Sequence, residues 1–174
     1  MVKKPAIFFD RDGTLIKTNI INSKPIANNN IKELSFLKNS YKVCKFLKKK
    51  FKLFVVTNQP DVGSKKVKKK NVLIINNKIK KKLKISKIYN CYCYKKYCKF
   101  KKPNPGMIIK AAKEFDIDLK ESYMVGDRWK DIVSGKKAKC KTILIKKSYS
   151  EVAKCKPDYI VKNLGEILNI INYE

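Results

Sequence analysis

The 174-residue chain contains no histidine. That excludes a histidine general base, a histidine-containing triad and any imidazole metal ligand. Proton transfer must fall to carboxylates, lysines or water. Arginine is nearly absent as well: of 43 basic residues only Arg11 and Arg128 are arginines. A specialised nucleic-acid reader ordinarily uses arginine for bidentate phosphate and base contacts. No apolar run approaches the ~18 residues of a membrane-spanning helix. The first apolar stretch is cut by Asp10 and Asp12 before it could serve as a signal segment. The expectation is a soluble, cytoplasmic protein that does not engage a membrane. Acidic residues are scarce too, 14 against the 43 basic ones, for a net charge of +29. The lysines run through every segment beside abundant asparagine and isoleucine, all three encoded by A/T-rich codons. Codon bias therefore competes with polyanion binding as the origin of the charge. Either origin draws anionic substrates toward the surface.

What the chain does have is enough apolar sequence, 44%, for one domain over residues 1–174, expected as a monomer. Its most informative stretch is Ile-Phe-Phe-Asp-Arg-Asp-Gly-Thr-Leu at 7–15. A short buried run delivers Asp10 and Asp12, and alternation along a strand places residues i and i+2 on one side. Gly13 permits a sharp turn at once. The two arginines sit beside Asp10/Asp12 and beside Asp127, so the rare residues gather where four of the eight aspartates lie: Asp10, Asp12, Asp127 and Asp131.

Along the chain, strand and helix patterns alternate. Strands are expected at Ala6–Phe9, Leu53–Thr57, Ile88–Tyr92 (an edge), Tyr123–Val125, Thr142–Ile145 and Tyr159–Val161. Helices are expected over 30–50, 65–83, from Pro105 through Phe115, over Trp129–Ala138 and over Leu164–Ile171. This order predicts an α/β fold: a three-layer, Rossmann-like parallel sheet with helices on both faces and no large cap domain. In such sheets ligands bind beyond the carboxyl ends of the strands. Three strands end in polar groups there: Asp10-Arg11-Asp12-Gly13, Thr57-Asn58-Gln59 and Gly126-Asp127-Arg128.

Clustered carboxylates with a hydroxyl and a lysine suit Mg²⁺-assisted phosphoryl transfer. Mg²⁺ takes a few carboxylates plus substrate phosphate. An aspartate can attack phosphorus, and a second carboxylate can protonate the leaving oxygen and then deprotonate water. Thr57 and Lys102 can hold the phosphoryl oxygens. Each group alone has a plainer reading: a turn for Asp10/Asp12, a cap for Thr57-Asn58, surface charge for Lys102.

Together these motifs resemble the haloacid dehalogenase (HAD) superfamily of phosphatases, in the branch that acts on heptose 1,7-bisphosphate and histidinol phosphate. The matching stretches are 8–16, 54–62, 101–107 and 123–132, and the resemblance reaches residues 156–161. It implies Asp10 as nucleophile and Asp12 as general acid/base. Asp10, Asp127 and the backbone carbonyl of Asp12 would hold Mg²⁺. Thr57 and Lys102 would contact the phosphoryl group, and Asn58, Gln59, Lys101 and Arg128 the substrate. Asp131 would orient the loop. The branch commonly carries arginine where Lys101 stands, so the bidentate fork is missing here. It also carries a zinc loop. Cys91, Cys93 and Cys98 supply three of its ligands, but Phe100 replaces the fourth, and zinc wants four. Zn²⁺ on these cysteines and three free thiols both stay open.

The resemblance implies a small anionic phosphorylated substrate. A polynucleotide 3′-phosphatase shares the first two motifs and suits the charge. A binding protein that contacts nucleic acid through Lys65–Lys70 and Lys80–Lys84 is the reading from another class.

Overall fold

The computed structural model describes residues 3–22, 24–95, 97–149 and 155–172. Six strands form one parallel sheet: β1 (Lys4–Phe9), β4 (Lys52–Asn58), β5 (Lys87–Cys91), β6 (Ile117–Gly126), β7 (Lys141–Ile145) and β8 (Tyr159–Val161), in the order β5-β4-β1-β6-β7-β8. The helices are α1 (Ser40–Leu47), α2 (Pro60–Gly63), α3 (Lys69–Leu83), α4 (Gly106–Phe115), α5 (Trp129–Lys137) and α6 (Ile167–Asn172).

The central strand shows why both faces must be covered. Ile7 and Phe9 enter one apolar cluster with Val43 and Leu47 of α1, Ile75 and Ile79 of α3, and Ile167 of α6. Ala6 and Phe8 enter the other, with Phe54, Met124 and Met107, Ile108 and Ala111 of α4. A continuous apolar run is what a parallel strand buried on both sides requires. Helix α3 presents Val72, Ile75, Ile79 and Leu83 to the core at helical spacing. Asn76 is buried among them.

Strand order locates the crevice. From β1 the chain moves outward through β4 and β5, then crosses to β6 on the opposite side of β1 and continues through β7 and β8. The reversal falls between β1 and β6, where an open α/β sheet leaves a cleft beyond the strand ends. Asp10 follows β1 directly, and its amide donates to Val125 O of β6 (2.9 Å).

Local structure departs from the sequence pattern in four places. The helix expected over 30–50 is split into a 3-10 turn at Ile31–Glu33 and α1. Between them the chain is tied to the segment after β1: Leu37 N donates to Leu15 O, Lys17 N donates to Ser35 O, and Ile16 bridges Phe36. Those backbone bonds outweigh a weak helical periodicity. The helix expected from residue 65 begins at Lys69, because Lys65 is left-handed (φ 62°) and ends the short α2 turn. Strand β6 is ten residues long, not three. Its first half pairs with Lys4 and Pro5, and exposed Lys120 and Glu121 conceal it from an apolar count. Finally, the segment 17–29 contains an antiparallel hairpin, β2 (Asn19–Ile21) with β3 (Lys24–Ile26). Both strands are largely exposed, so no burial alternation marks them. Among the described residues no helix is long and apolar enough to cross a membrane.

Candidate active site

A cavity of about 370 Å³ opens at the switch point. Asp10, Asp12, Thr57, Lys102, Asp127 and Asp131 line its floor and walls. Asn58, Lys101 and Arg128 also border it, as do Thr18, Pro25 and Ile26 of the hairpin segment and Asp61 of α2.

At the centre is Lys102, whose ammonium lies 2.6 Å from Asp10 Oδ1 and 2.6 Å from Asp131 Oδ1. Its side chain is only 4% exposed. Burial alone would push the ammonium toward the neutral form, but the two carboxylates hold it well above its ordinary value. Asn58 pins the segment that carries this lysine. Its Nδ2 donates to Lys102 O and its Oδ1 accepts from Lys102 N, both at 3.0 Å.

Asp10, Asp127 and Asp131 each offer an oxygen within 4.8 Å of the others. Burial, followed by the neighbouring Asp10 and Asp131, pushes the Asp127 carboxyl up to about 7. Asp131 is also raised, first by burial, although Lys102 opposes the shift. Its Oδ2 accepts from Arg128 N (3.0 Å) and so caps α5. A Cβ on Gly126 would lie 2.3 Å from Asp131 Cβ, so the strand end must be bare for Asp131 to reach inward. The Lys102 ammonium touches two of these three buried carboxylates, so acidic groups outnumber it in the cluster. That donor set, all carboxylate oxygen, fits Mg²⁺.

Asp12 sits apart from this cluster. Strand β1 stops at Phe9, so the turn that follows, rather than strand alternation, directs the second carboxylate. Arg11 grips it from Nε to Oδ2 (2.9 Å) and from Nη2 to Oδ1 (3.1 Å). Asn28 N donates to Oδ1 (2.9 Å) and Gln59 Nε2 to Oδ2 (3.0 Å). Arg11 itself is fully buried. Asn76 Oδ1 and Asn28 O complete its contacts, at 3.0 and 2.8 Å. Burial raises the Asp12 carboxyl above its ordinary value, with Arg11 opposing the shift. Gln59 also donates to Thr57 Oγ1 (2.9 Å), which fixes that hydroxyl at the end of β4.

Two residues read from the sequence as substrate contacts are thus occupied with positioning: Asn58 holds the Lys102 backbone, and Gln59 holds Asp12 and Thr57. The Lys101 ammonium donates to the carbonyls of Tyr94 and Lys95, at 3.1 and 3.2 Å. Arg11, Asn28 and Asn76 carry no role in the sequence reading. Their visible signals are the rarity of arginine at Arg11 and the asparagine at position 76 inside the apolar face of α3. Tyr149 left no signal at all.

Among the described residues the cysteine loop does not form a closed metal site. Cys91 Sγ and Cys98 Sγ are 3.7 Å apart, and Phe100 packs against the apolar cluster beside them. Among the described residues, the aspartate trio is the one group of three or more metal-binding side chains whose ligand atoms all approach within 4.8 Å. The cysteines of this loop therefore do not support a zinc site.

Gly13 closes the turn after Asp12 at φ 84°, where L side chains are strained. A Cβ there would lie 2.3 Å from Asp127 Oδ2 and 2.5 Å from the Tyr149 hydroxyl. Gly13→Ala is expected to destabilise the fold by about 2 kcal/mol or more, from backbone strain and displacement of Asp127. Urea unfolding measures this, and a change below about 0.5 kcal/mol would refute the close approach.

The HAD-hydrolase-like family model matches residues 99–167. The D-glycero-α-D-manno-heptose-1,7-bisphosphate 7-phosphatase of Campylobacter jejuni is 31% identical over 97% of this chain and 96% of its own. The D-glycero-β-D-manno-heptose-1,7-bisphosphate 7-phosphatase of Pasteurella multocida is 32% identical, covering 97% of each. Among solved structures, the B. bronchiseptica D,D-heptose 1,7-bisphosphate phosphatase, complexed with magnesium and phosphate, superposes with a TM-score of 0.83. It covers 97% of this chain and 98% of that one, and at 19% identity it speaks for the fold alone. With its six-stranded parallel sheet and full-length sequence relatives, the chain belongs to the HAD-like hydrolase family and is a phosphatase of that family.

Proposed function

We propose that the protein hydrolyses a phosphomonoester of a small sugar phosphate, with D-glycero-D-manno-heptose 1,7-bisphosphate as the first candidate and its 7-phosphate as the group removed. The observation that carries the chemistry is the convergence of Asp10, Asp12, Thr57, Lys102 and Asp127 on one cavity at the switch point. The substrate comes from the full-length relatives, whose names specify that sugar.

In this reading Asp10 attacks phosphorus and forms an aspartyl-phosphate as the sugar oxygen leaves. Asp12 delivers a proton to that oxygen, then removes one from the water that attacks the aspartyl-phosphate. Four donor atoms, from Arg11, Asn28 and Gln59, fix the Asp12 carboxylate for that role. Lys102 and the Thr57 hydroxyl hold the phosphoryl oxygens as charge builds on them. Mg²⁺, held by Asp10, Asp127 and the Asp12 carbonyl, would supply neutralising charge between a carboxylate and a phosphate dianion. Lys101, Arg128 and Lys130 border the outer cavity and add positive charge for the rest of an anionic substrate. The hairpin supplies the facing wall with Pro25 and Ile26.

The test is phosphate release with Mg²⁺ from heptose 1,7-bisphosphate and from a 3′-phosphorylated oligonucleotide. Turnover of the sugar with kcat/KM at least about 100-fold above the oligonucleotide is expected, since a cavity of about 370 Å³ matches a small substrate in size. Preference for the oligonucleotide would assign the +29 charge a direct role and overturn the substrate choice.

A further inference from the structure

Asp127 is approached on its two oxygens from two distant parts of the chain. Thr14 Oγ1 donates to Oδ1 at 3.2 Å, and the Tyr149 hydroxyl donates to Oδ2 at 2.7 Å. Tyr149 stands four residues beyond the end of β7 (Lys141–Ile145), in a turn outside every sequence motif. Its seat is prepared by the first motif. Gly13 lacks the Cβ that would lie 2.5 Å from the tyrosine hydroxyl. The phenol is partly buried, so its bond to a buried carboxylate is charge-assisted and poorly screened. A hydroxyl donated to a metal-binding carboxylate from outside fixes the carboxylate's plane and limits its freedom before the ion arrives.

We propose that Tyr149 is a positioning residue for Asp127: it holds the carboxylate in the conformation that binds Mg²⁺, and thereby ties the segment after β7 to occupancy of the metal site. This rests on the reading of Asp127 as a Mg²⁺ ligand. Coupling of this kind is reciprocal. If Tyr149 strengthens Mg²⁺ binding, Mg²⁺ must strengthen the hold on the segment that carries Tyr149.

Both directions are measurable without substrate. Calorimetric titration of MgCl₂ into wild type and Tyr149→Phe is expected to show about 10-fold weaker Mg²⁺ binding in the variant, the usual scale for losing a hydrogen bond to a ligand. Phenylalanine keeps the ring and its packing, so a folded variant is expected, and its unfolding temperature without Mg²⁺ checks this. In wild type, Mg²⁺ should slow backbone hydrogen exchange over residues 146–149; in Tyr149→Phe it should do so much less. An affinity within about twofold of wild type would overturn the proposal, as would lower metal-free stability with unchanged Mg²⁺ affinity, which would make Tyr149 a packing residue. The wild-type half of the exchange experiment needs no variant and stands even if Tyr149→Phe misfolds; wild-type exchange indifferent to Mg²⁺ also overturns the proposal. A wild type that binds no Mg²⁺ would remove the reading of Asp127 beneath it.

Discussion

Asp10→Asn is expected to reduce phosphate release by at least about 10⁴-fold while leaving the protein folded, because it removes the attacking oxygen and little else. Asparagine matches aspartate in shape. Lys102 retains Asp131 at 2.6 Å, so its buried ammonium keeps a counter-charge. The crowding that raises Asp127 is relieved, since Asp10 is among its causes. The unfolding temperature without Mg²⁺ should therefore equal or exceed that of wild type. Steady-state phosphate release and thermal unfolding, run on the same preparation, separate the two effects. Retention of more than about 1% of wild-type kcat would remove Asp10 from the role of nucleophile.

Lys102→Met should behave in the opposite manner, losing stability as well as activity. It leaves Asp10 and Asp131 buried without the ammonium that both contact. Removing one partner from a buried charge cluster costs about 3–5 kcal/mol, because the desolvated charges remain. Surface lysines here offer a contrast: Lys3 lies 3.6 Å from Asp116 with both side chains mostly exposed, and an exposed pair of that kind contributes under about 1 kcal/mol. The sign of the pH dependence follows from Asp131, which burial already raises above its ordinary value. A carboxyl raised in the folded state lowers stability as pH climbs above its unfolded value, and the penalty fades as pH falls. The Lys102→Met deficit should thus be greater at pH 8 than at pH 5. Replacing Asp131 by asparagine in the same chain should recover part of it. Urea unfolding at the two pH values provides the check; a pH-independent deficit below about 1 kcal/mol would mean that Lys102 does not neutralise the cluster.

The alternation of buried runs and helical periods made the parallel sheet legible, because Phe8, Phe54 and Met124 lie in strand segments that are buried throughout. Elements with mixed surroundings were not legible. The first half of β6 carries polar residues at a sheet end, and the β2–β3 hairpin is exposed on both sides, so neither leaves an apolar pattern. Residues 34–37 followed helical spacing, yet backbone bonds to Leu15 and Lys17 drew them extended, and such bonds depend on a partner about twenty residues away.

The same division runs through the site. Asp10, Asp12, Thr57, Lys102 and Asp127 could be named from sequence because phosphoryl transfer restricts residue type and each stands at a strand end or in a short motif. Family membership followed from the same local patterns. The roles of their supports were not legible: Arg11 stood out only as a rare arginine and reaches Asn76 across 65 positions, and Tyr149 reaches Asp127 across 22. Hydrogen-bond partners are chosen by distance and direction in space, and many side chains can satisfy one donor or acceptor. The sequence alone determined the sheet, the family and the candidate reacting groups, because each is written in local patterns. The tertiary structure decided which carboxylates converge, Asp10, Asp127 and Asp131, and what holds Asp12 and Asp127 in place, because those contacts join residues far apart in the chain.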